Sequence, residues 1–304
     1  MKTSLTMAHL VCAASPTSRL VWVRHQCSVA LALPAFPVGA SPLRDDARGG
    51  TQLAAAYAAL ERGLPSGGAG CQGLVVELEL PEALALVRAH GRPLLDAVRR
   101  TGSFLYRGEP LGQGEGGGGP RAVVETPDLF DEETYGSPLA AEYFRASDSL
   151  MAENFGATAR PSNAHIMVSN QEAASAWGTA CSVWPLGDSL DYSWFDNCSE
   201  LWNPSWGRPG SRSSVANGNR EAFFWRDKDS LGRFFAAGLR VNSGLPSAIR
   251  SGHEILVRSG GFSVGSNAGR GGGHVIQDAL VCIPASEDEL VRSVLGIPPD
   301  SARV

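Results

Sequence analysis

The stretch Phe104-Leu105-Tyr106-Arg107-Gly108-Glu109 guides the interpretation of this chain. Its apolar start predicts a short strand, Ser103–Arg107, which ends in an arginine with a glycine behind it. An arginine at the end of a strand can direct its planar guanidinium into a cleft, where paired N–H groups suit a phosphate or pyrophosphate. The alternative is an arginine that simply ends a strand in solvent.

A second stretch, Ile166-Met167-Val168-Ser169, also has a polar side chain at the end of an apolar strand. The hydroxyl of Ser169 can lie in a cleft and orient neighbouring polar groups. On its own, Ser169 is equally consistent with an ordinary residue beside a helix cap. The strand is predicted over His165–Ser169, and Asn170 is expected to cap a helix that contains Ala173, Ala174 and Trp177.

In a third stretch, Glu254 opens the apolar strand Glu254–Val257, and a tight turn leads into a further strand, Phe262–Val264. A carboxylate at the start of a buried strand can face a cleft, or it can be solvated. Arg107, Ser169 and Glu254 therefore each lie at the boundary of a predicted strand.

Helix and strand patterns alternate along the chain, with long helices in the first half and short strands in the second. This arrangement predicts an α+β fold whose core is mainly antiparallel sheet. Helices are predicted at Thr51–Gly63, in two segments of Pro81–Arg100 interrupted near Gly91, from Pro138 onward, and from a capping box of Ser286 and Glu289 to Gly296. Further strands are predicted at Leu74–Leu80, Leu190–Phe195, Glu221–Trp225 and His274–Ile283.

The 304 residues are 43% hydrophobic and carry a net charge of −5. This composition excludes wholesale disorder and argues against a nucleic-acid-binding protein that depends on neutralising phosphates. No uninterrupted apolar stretch reaches the ~18 residues of a membrane-spanning helix, so no transmembrane segment is expected. The six cysteines form no CxxC pair, which disfavours a metal site. Buried free thiols are expected, with a Cys181–Cys198 bridge as the alternative in an exported protein.

Residues 1–44 contain four basic residues and no acidic residue. An acid-free, basic segment is typical of an organelle transit peptide, and the apolar run after Arg24 would also suit a secretory signal. The third interpretation is that Leu20–Val23 is the first strand of the fold. The expected compartment depends on this choice, because a leader implies an organelle or secretion and its absence implies the cytoplasm.

Together the three stretches resemble the motifs of the mono-ADP-ribosyltransferases of the Arg-Ser-Glu type. That family has an apolar–Tyr–Arg–Gly motif, a Ser-Thr-Ser motif before an alanine-containing helix, and a Glu-x-Glu-Val-Leu motif that leads through a turn to Phe-x-Val. Here Leu105-Tyr106-Arg107-Gly108, Ser169 and Glu254-Ile255-Leu256-Val257 occur in the same order. The resemblance covers about residues 100–285. It implies an ADP-ribosyltransferase-like fold, with two packed antiparallel sheets around an NAD cleft, preceded by the helices of 45–100 within one domain of 45–304.

The resemblance also implies an enzyme of the pentosyltransferase type that uses NAD as a substrate and needs no metal. Such an enzyme transfers ADP-ribose to a protein or small acceptor and releases nicotinamide. Glu254 would stabilise positive charge on the ribose, and Ser169 would orient Glu254 and line the nicotinamide pocket. Arg107 and Gly108 would bind the phosphates or the adjacent ribose. The aromatic residues proposed to stack on nicotinamide, with packing in the core as the alternative, are Tyr192 and Trp194.

Two positions differ from the family pattern. Asn170-Gln171 replaces the Thr-Ser that follows the first serine, and Gly252 stands where the family has an acidic residue or glutamine. Two alternatives to a transferase stay open. One is an NAD glycohydrolase that uses water as the acceptor, and Gly252 favours it because that position helps to engage the acceptor. The other is a module of the same fold that binds a nucleotide or a partner without turnover.

We expect residues 1–44 to be dispensable for folding and for NAD turnover, because they carry none of the motif residues. A truncation that starts at Asp45 should stay soluble and unfold at the temperature of the full-length chain, as measured by circular dichroism. A truncated chain that precipitates, beside a soluble full-length chain, would contradict this and favour the interpretation of Leu20–Val23 as a first strand.

Overall fold

The computed structural model describes residues 46–63, 74–109, 119–124, 138–198, 228–264 and 274–299. None of the helices in these ranges is both long and apolar enough to span a bilayer. The expectations for residues 1–44 and for a strand at Glu221–Trp225 lie outside the described residues.

The helices and strands interleave along the chain. The helices are α1 (Asp46–Gly63), α2 (Leu80–His90), α3 (Arg92–Thr101), α4 (Pro138–Phe155), α5 (Gln171–Ser175), α6 (Lys228–Gly238), α7 (Leu245–Ser251) and α8 (Asp288–Leu295). The strands are β1 (Leu74–Glu77), β2 (Tyr106–Glu109), β3 (Arg121–Val124), β4 (His165–Met167), β5 (Thr179–Leu186), β6 (Leu190–Phe195), β7 (Leu239–Val241), β8 (Ile255–Ser259), β9 (Phe262–Val264), β10 (His274–Ile276) and β11 (Ala279–Pro284).

Helices α2 and α3 form because apolar residues recur at helical spacing, and the predicted break between them is confirmed. Gly91 separates the two helices. A β-carbon at Gly91 would lie 2.8 Å from the carbonyl oxygen of Val87, so a side chain does not fit there. The apolar face of the pair is buried in the main core, through Leu84, Val87, Leu94, Leu95 and Val98.

The larger sheet has five antiparallel strands in the order β1-β3-β11-β5-β2. Strand β5 is its longest strand and pairs with both β11 and β2. One face of the sheet packs on helices, where Trp184 of β5 contacts Phe104 edge to face. Beside them, the Tyr106 hydroxyl donates to Asp288 Oδ2 at 2.7 Å and so ties β2 to the start of α8.

The smaller sheet has four antiparallel strands in the order β4-β8-β6-β7. Its two faces are both covered, because alternate residues of β8 belong to different clusters. Ile255 and Val257 pack in the main core, whereas Leu256 packs in a second cluster with Tyr143 and Phe144 of α4. Strands β9 and β10 form a separate antiparallel pair.

The two sheets meet where β2 and β4 touch. The Tyr106 amide donates to the Val168 carbonyl at 2.6 Å, and the Val168 amide donates to the Tyr106 carbonyl at 3.0 Å. This single pairing makes β8, β4, β2 and β5 consecutive neighbours. The structure is therefore mixed α and β with antiparallel sheets, which is compatible with the predicted α+β class.

Several boundaries differ from the predicted ones. Strand β2 runs past Arg107 to Glu109, because Gly108 and Glu109 pair with Ala180 and Thr179 of β5. Strand β4 ends at Met167 and β8 begins at Ile255, so Ser169 and Glu254 lie just outside their strands. The sequence patterns predict neither helices α6 and α7 nor strands β3, β5 and β7. The sequence of β5 shows no alternation of polar and apolar residues, because seven of its eight residues are buried.

The C-terminal elements correct two further predictions. The capping box is wrong, because α8 begins at Asp288 after a short 3₁₀ turn, and no side chain caps its first turn. The stop at Gly296 is confirmed, with φ 65° in the left-handed region. The strand predicted over His274–Ile283 is two strands, separated at Asp278, where φ is 53°.

The cysteines in the described residues are free thiols. Cys181, Cys198 and Cys282 are all buried and none forms a disulfide. The Cys181–Cys198 bridge is therefore wrong for this structure. Burial raises the pKa of Cys181 to about 12 and raises the pKa of Cys282 well above its ordinary value, so both thiols stay protonated near neutral pH.

His90 ends α2 in a half-buried contact with α1 and β9. Its Nε2 lies 2.6 Å from the hydroxyl of Tyr57, and its ring lies 4.4 Å from that of Phe262 between centroids. Burial lowers the pKa of His90 from its ordinary value of 6.5, and the charge of Asp188 partly opposes this. The folded state therefore favours the neutral imidazole.

We expect the His90→Gln variant to lose less stability than the wild type between pH 7.5 and pH 5.5. Wild-type stability falls as the pH drops through 6.5, because the unfolded chain takes up the proton more readily than the folded one. Glutamine retains a hydrogen-bonding group for Tyr57 but does not titrate. Urea unfolding of both proteins at the two pH values measures the difference. An equal loss in both proteins would contradict the prediction.

Candidate functional site

Arg107 is held by two neighbours on the face of β2 that lies away from Tyr106. Its Nη1 donates to His165 Nδ1 at 2.7 Å, and its Nε lies 3.2 Å from Glu109 Oε1. The contact with His165 crosses from the larger sheet to the smaller one, beside the Tyr106–Val168 pairing. Because Nδ1 accepts this hydrogen bond, a proton on neutral His165 must lie on Nε2.

Glu109 connects Arg107 to a second arginine. Its Oε2 accepts from Arg121 Nη2 at 2.9 Å, so one carboxylate contacts two guanidinium groups. Glu109 is only 5% exposed. Each arginine lies opposite a buried residue of the neighbouring strand, Arg107 opposite Cys181 and Arg121 opposite Cys282. The thiols of Cys181 and Cys282 therefore lie on the same face of the sheet as the charged cluster, beside the two arginines.

Position 108 requires a glycine, because the segment that follows Ser169 packs closely against β2 at this point. A β-carbon at Gly108 would lie 2.3 Å from the Ala174 carbonyl oxygen, 2.6 Å from Trp177 Cβ and 2.8 Å from the Gly178 amide nitrogen. The glycine after the arginine thus allows the end of α5 to pack directly on β2. This contact brings Trp177, whose side chain is 45% exposed, next to the arginine strand.

Ser169 lies between the pairing with Tyr106 and the start of α5. It directly follows Val168 and precedes Asn170, whose side chain accepts from the amides of Glu172 and Ala173 and so confirms the predicted cap. Ser169 is partly exposed. Ser169 therefore directly follows the residue that pairs with the start of β2.

Glu254 lies on the other side of the smaller sheet from His165. His165 pairs with Val257, which packs in the main core, whereas Glu254 is two residues before Leu256 and shares its side. Consistent with this, Glu254 is among the charges that raise the pKa of Tyr143, after the larger effect of burial. The sheet order thus makes the arginine, serine and glutamate segments neighbours, while Arg107 and Glu254 face different neighbours.

The residues before Glu254 belong to a helix end rather than to a strand. Gly252 ends α7 with φ 73°, and a β-carbon there would meet no atom within 4 Å. A glycine suits this position because side chains rarely adopt the left-handed region. His253 Nδ1 donates to the Phe195 carbonyl at 2.6 Å.

The two aromatic candidates lie on β6, on the side of the main core. Trp194 is buried, and its indole N–H donates to the Ser243 carbonyl at 2.9 Å. Tyr192 is partly buried, and its hydroxyl accepts from the Leu245 amide at 3.3 Å. Both therefore anchor the segment that enters α7, and each has a packing role in this structure.

The sequence did not single out three residues of this site, namely Glu109, Arg121 and His165. The sequence could have identified Glu109, because residues two apart in a strand share a face, and Glu109 is two residues after Arg107. Arg121 and His165 are distant in sequence, and only the strand order brings them to Arg107. Among the described residues, no three side chains of His, Cys, Asp or Glu form a group that could hold a metal ion.

No protein-family model, curated protein or solved structure matches this chain. The interpretation of the site therefore depends on its own geometry.

We expect Gly108→Ala to destabilise the protein by roughly 1–3 kcal/mol, the usual cost of overpacking, because its neighbours within 3 Å are mostly backbone atoms. Urea unfolding measures the loss. Gly50→Ala is the matched control, since Gly50 lies in α1 with no atom within 4 Å of its β-carbon position. That change should leave stability equal or slightly raised. Equal effects of the two substitutions would rule out the packing role of Gly108.

Proposed function

We propose that this protein is an NAD-dependent mono-ADP-ribosyltransferase that transfers ADP-ribose from NAD to a protein or small acceptor and releases nicotinamide. The observation that supports the proposal most is the strand order β8-β4-β2. Three short motifs, far apart in sequence, lie on three consecutive strands. Glu254 directly precedes β8, Ser169 lies two residues after β4, and Arg107 is the second residue of β2.

The chemistry breaks the glycosidic bond between nicotinamide and ribose. Nicotinamide leaves as a neutral molecule, and positive charge develops on the ribose as in glycoside hydrolysis. A carboxylate below the ring stabilises that charge, which is the role proposed for Glu254. The acceptor then attacks the anomeric carbon and loses a proton, so the new bond replaces the one to nicotinamide.

The residues around Arg107 support binding of the phosphate-bearing part of NAD. Arg107 contributes a guanidinium on a strand whose glycine neighbour, Gly108, admits the close approach of α5. Ser169 lies between the two other motifs and can hydrogen-bond to the substrate.

The glycohydrolase alternative is favoured by Gly252. This residue has no side chain to engage an acceptor, and the space around its β-carbon position is open. Water can then take the place of the acceptor after nicotinamide has left.

The second alternative, a binding module without turnover, is favoured by the position of Glu254. Glu254 shares a side of the smaller sheet with Leu256, which packs in the second cluster with the buried Tyr143 of α4. His165 and Arg107 lie on the opposite side of that sheet. For catalysis, the carboxylate must reach the ribose of an NAD molecule whose phosphates are bound at Arg107.

One pair of assays separates the three functions. Release of nicotinamide from NAD, followed by chromatography, distinguishes the two enzymes from the binding module. NAD labelled in the adenylate part then distinguishes transfer from hydrolysis, because only transfer attaches the label to an acceptor. Wild-type protein that releases no nicotinamide but binds NAD would support the binding module.

We expect Glu254→Gln to lower the turnover of NAD by about 10²–10³-fold, with little change in the affinity for NAD. Glutamine keeps the shape of glutamate but loses the charge, which the transition state needs far more than the ground state. The matched control is Glu172→Gln, since Glu172 is exposed on α5 near Ser169. Equal cleavage rates for wild type and Glu254→Gln would exclude the catalytic role of Glu254.

A further inference from the structure

Glu109 contacts two arginines at once, whereas a simple ion pair needs only one. Its carboxylate is 7% exposed as a side chain and lies between Arg107, at 17%, and Arg121, at 12%. One oxygen faces Nε of Arg107 at 3.2 Å and the other faces Nη2 of Arg121 at 2.9 Å. The guanidinium proposed to bind phosphate therefore already contacts a negative charge.

We infer that Glu109 is an internal competitor for the anionic group of the ligand and so sets the affinity of Arg107 for phosphate. The inference rests on the proposed function, because it concerns the same site and the pyrophosphate of the same substrate. It assigns an affinity-determining role to Glu109 and, through it, to Arg121.

Competition follows from the atoms that Glu109 and His165 use. Glu109 lies against Nε of Arg107, and His165 accepts from Nη1. A phosphate bound side-on through Nε and Nη2 must share or displace the contact with Glu109, whereas a phosphate bound to the two terminal nitrogens meets only the charge of Glu109. The carboxylate also repels an incoming phosphate at short range, in a site partly shielded from water.

Glu109 is not needed to hold Arg107 in place. The hydrogen bond from Arg107 to His165 positions the guanidinium independently of Glu109. Removal of the carboxylate charge therefore leaves an oriented arginine with more positive potential. We expect tighter anion binding as a result.

Arg121 moderates this competition. Its guanidinium lies 2.9 Å from one oxygen of Glu109, so its positive charge offsets part of the negative potential that the carboxylate creates at the site. Without Arg121, that offset is lost. Substitution of Arg121 should therefore weaken anion binding, although Arg121 need not touch the ligand.

Calorimetric titration with ADP-ribose tests the inference, since this probe carries the pyrophosphate but cannot react by loss of nicotinamide. We expect Glu109→Gln to bind ADP-ribose about tenfold more tightly than the wild type, and Arg121→Gln to bind it about five- to tenfold more weakly. Glu77→Gln is the matched control, because Glu77 is exposed on β1 directly opposite Arg121. It removes the same charge from the same sheet and should bind like the wild type.

The opposite signs distinguish competition from a structural role, since damage to the fold would weaken binding in both variants. A folded Glu109→Gln variant that binds ADP-ribose no more tightly than the wild type would overturn the inference and leave the proposed function intact. If Glu109→Gln does not fold, Arg121→Gln carries the test, and unchanged or tighter binding overturns it. A wild type that binds neither NAD nor ADP-ribose would overturn the proposed function and the inference together.

Discussion

The backbone pairing of Tyr106 with Val168 is the contact on which the arrangement of the site depends. Two hydrogen bonds, at 2.6 and 3.0 Å, connect the larger sheet to the smaller one. Because β4 pairs with β8 on its other side, this contact brings segments from three distant parts of the chain together. Beside this pairing, the Arg107–His165 hydrogen bond is a side-chain contact between β2 and β4.

The parts of the fold that local sequence determines were predictable. Helices α1 to α3 have apolar residues at helical spacing. Gly91 and Pro93 together signal the break between α2 and α3, because proline suits the first turn of a helix. Strand β5 shows the limit. It is buried along almost its whole length, because strands pair on both sides of it and both faces are covered. Its sequence therefore lacks the alternation of polar and apolar residues that identifies a half-buried strand.

The site shows a stricter limit, because the layer that covers a strand face is not encoded in the strand itself. The motif predicts Glu254 as the first residue of a strand, but α7 extends to Ser251 and ends at Gly252, so β8 begins at Ile255. Glu254 shares the side of Leu256 with either boundary, and that side faces Tyr143. Periodicity in sequence fixes which residues share a face, but not which layer covers that face. Packing of α4 on one side of the sheet decides this for Glu254.

The electrostatics of Arg107 follow from the same packing. Burial of two guanidinium groups and a carboxylate costs solvation energy that their attraction offsets only in part, so such a cluster contributes little net stability. The cluster instead affects the orientation of the Arg107 guanidinium and the charge around it. The hydrogen bond to His165 orients the Arg107 guanidinium, and Glu109 places a negative charge beside it. The thiols of Cys181 and Cys282 add no charge, because burial raises the pKa of both. The charges around Arg107 therefore come from Glu109 and Arg121 together, a combination that no single motif in the sequence contains.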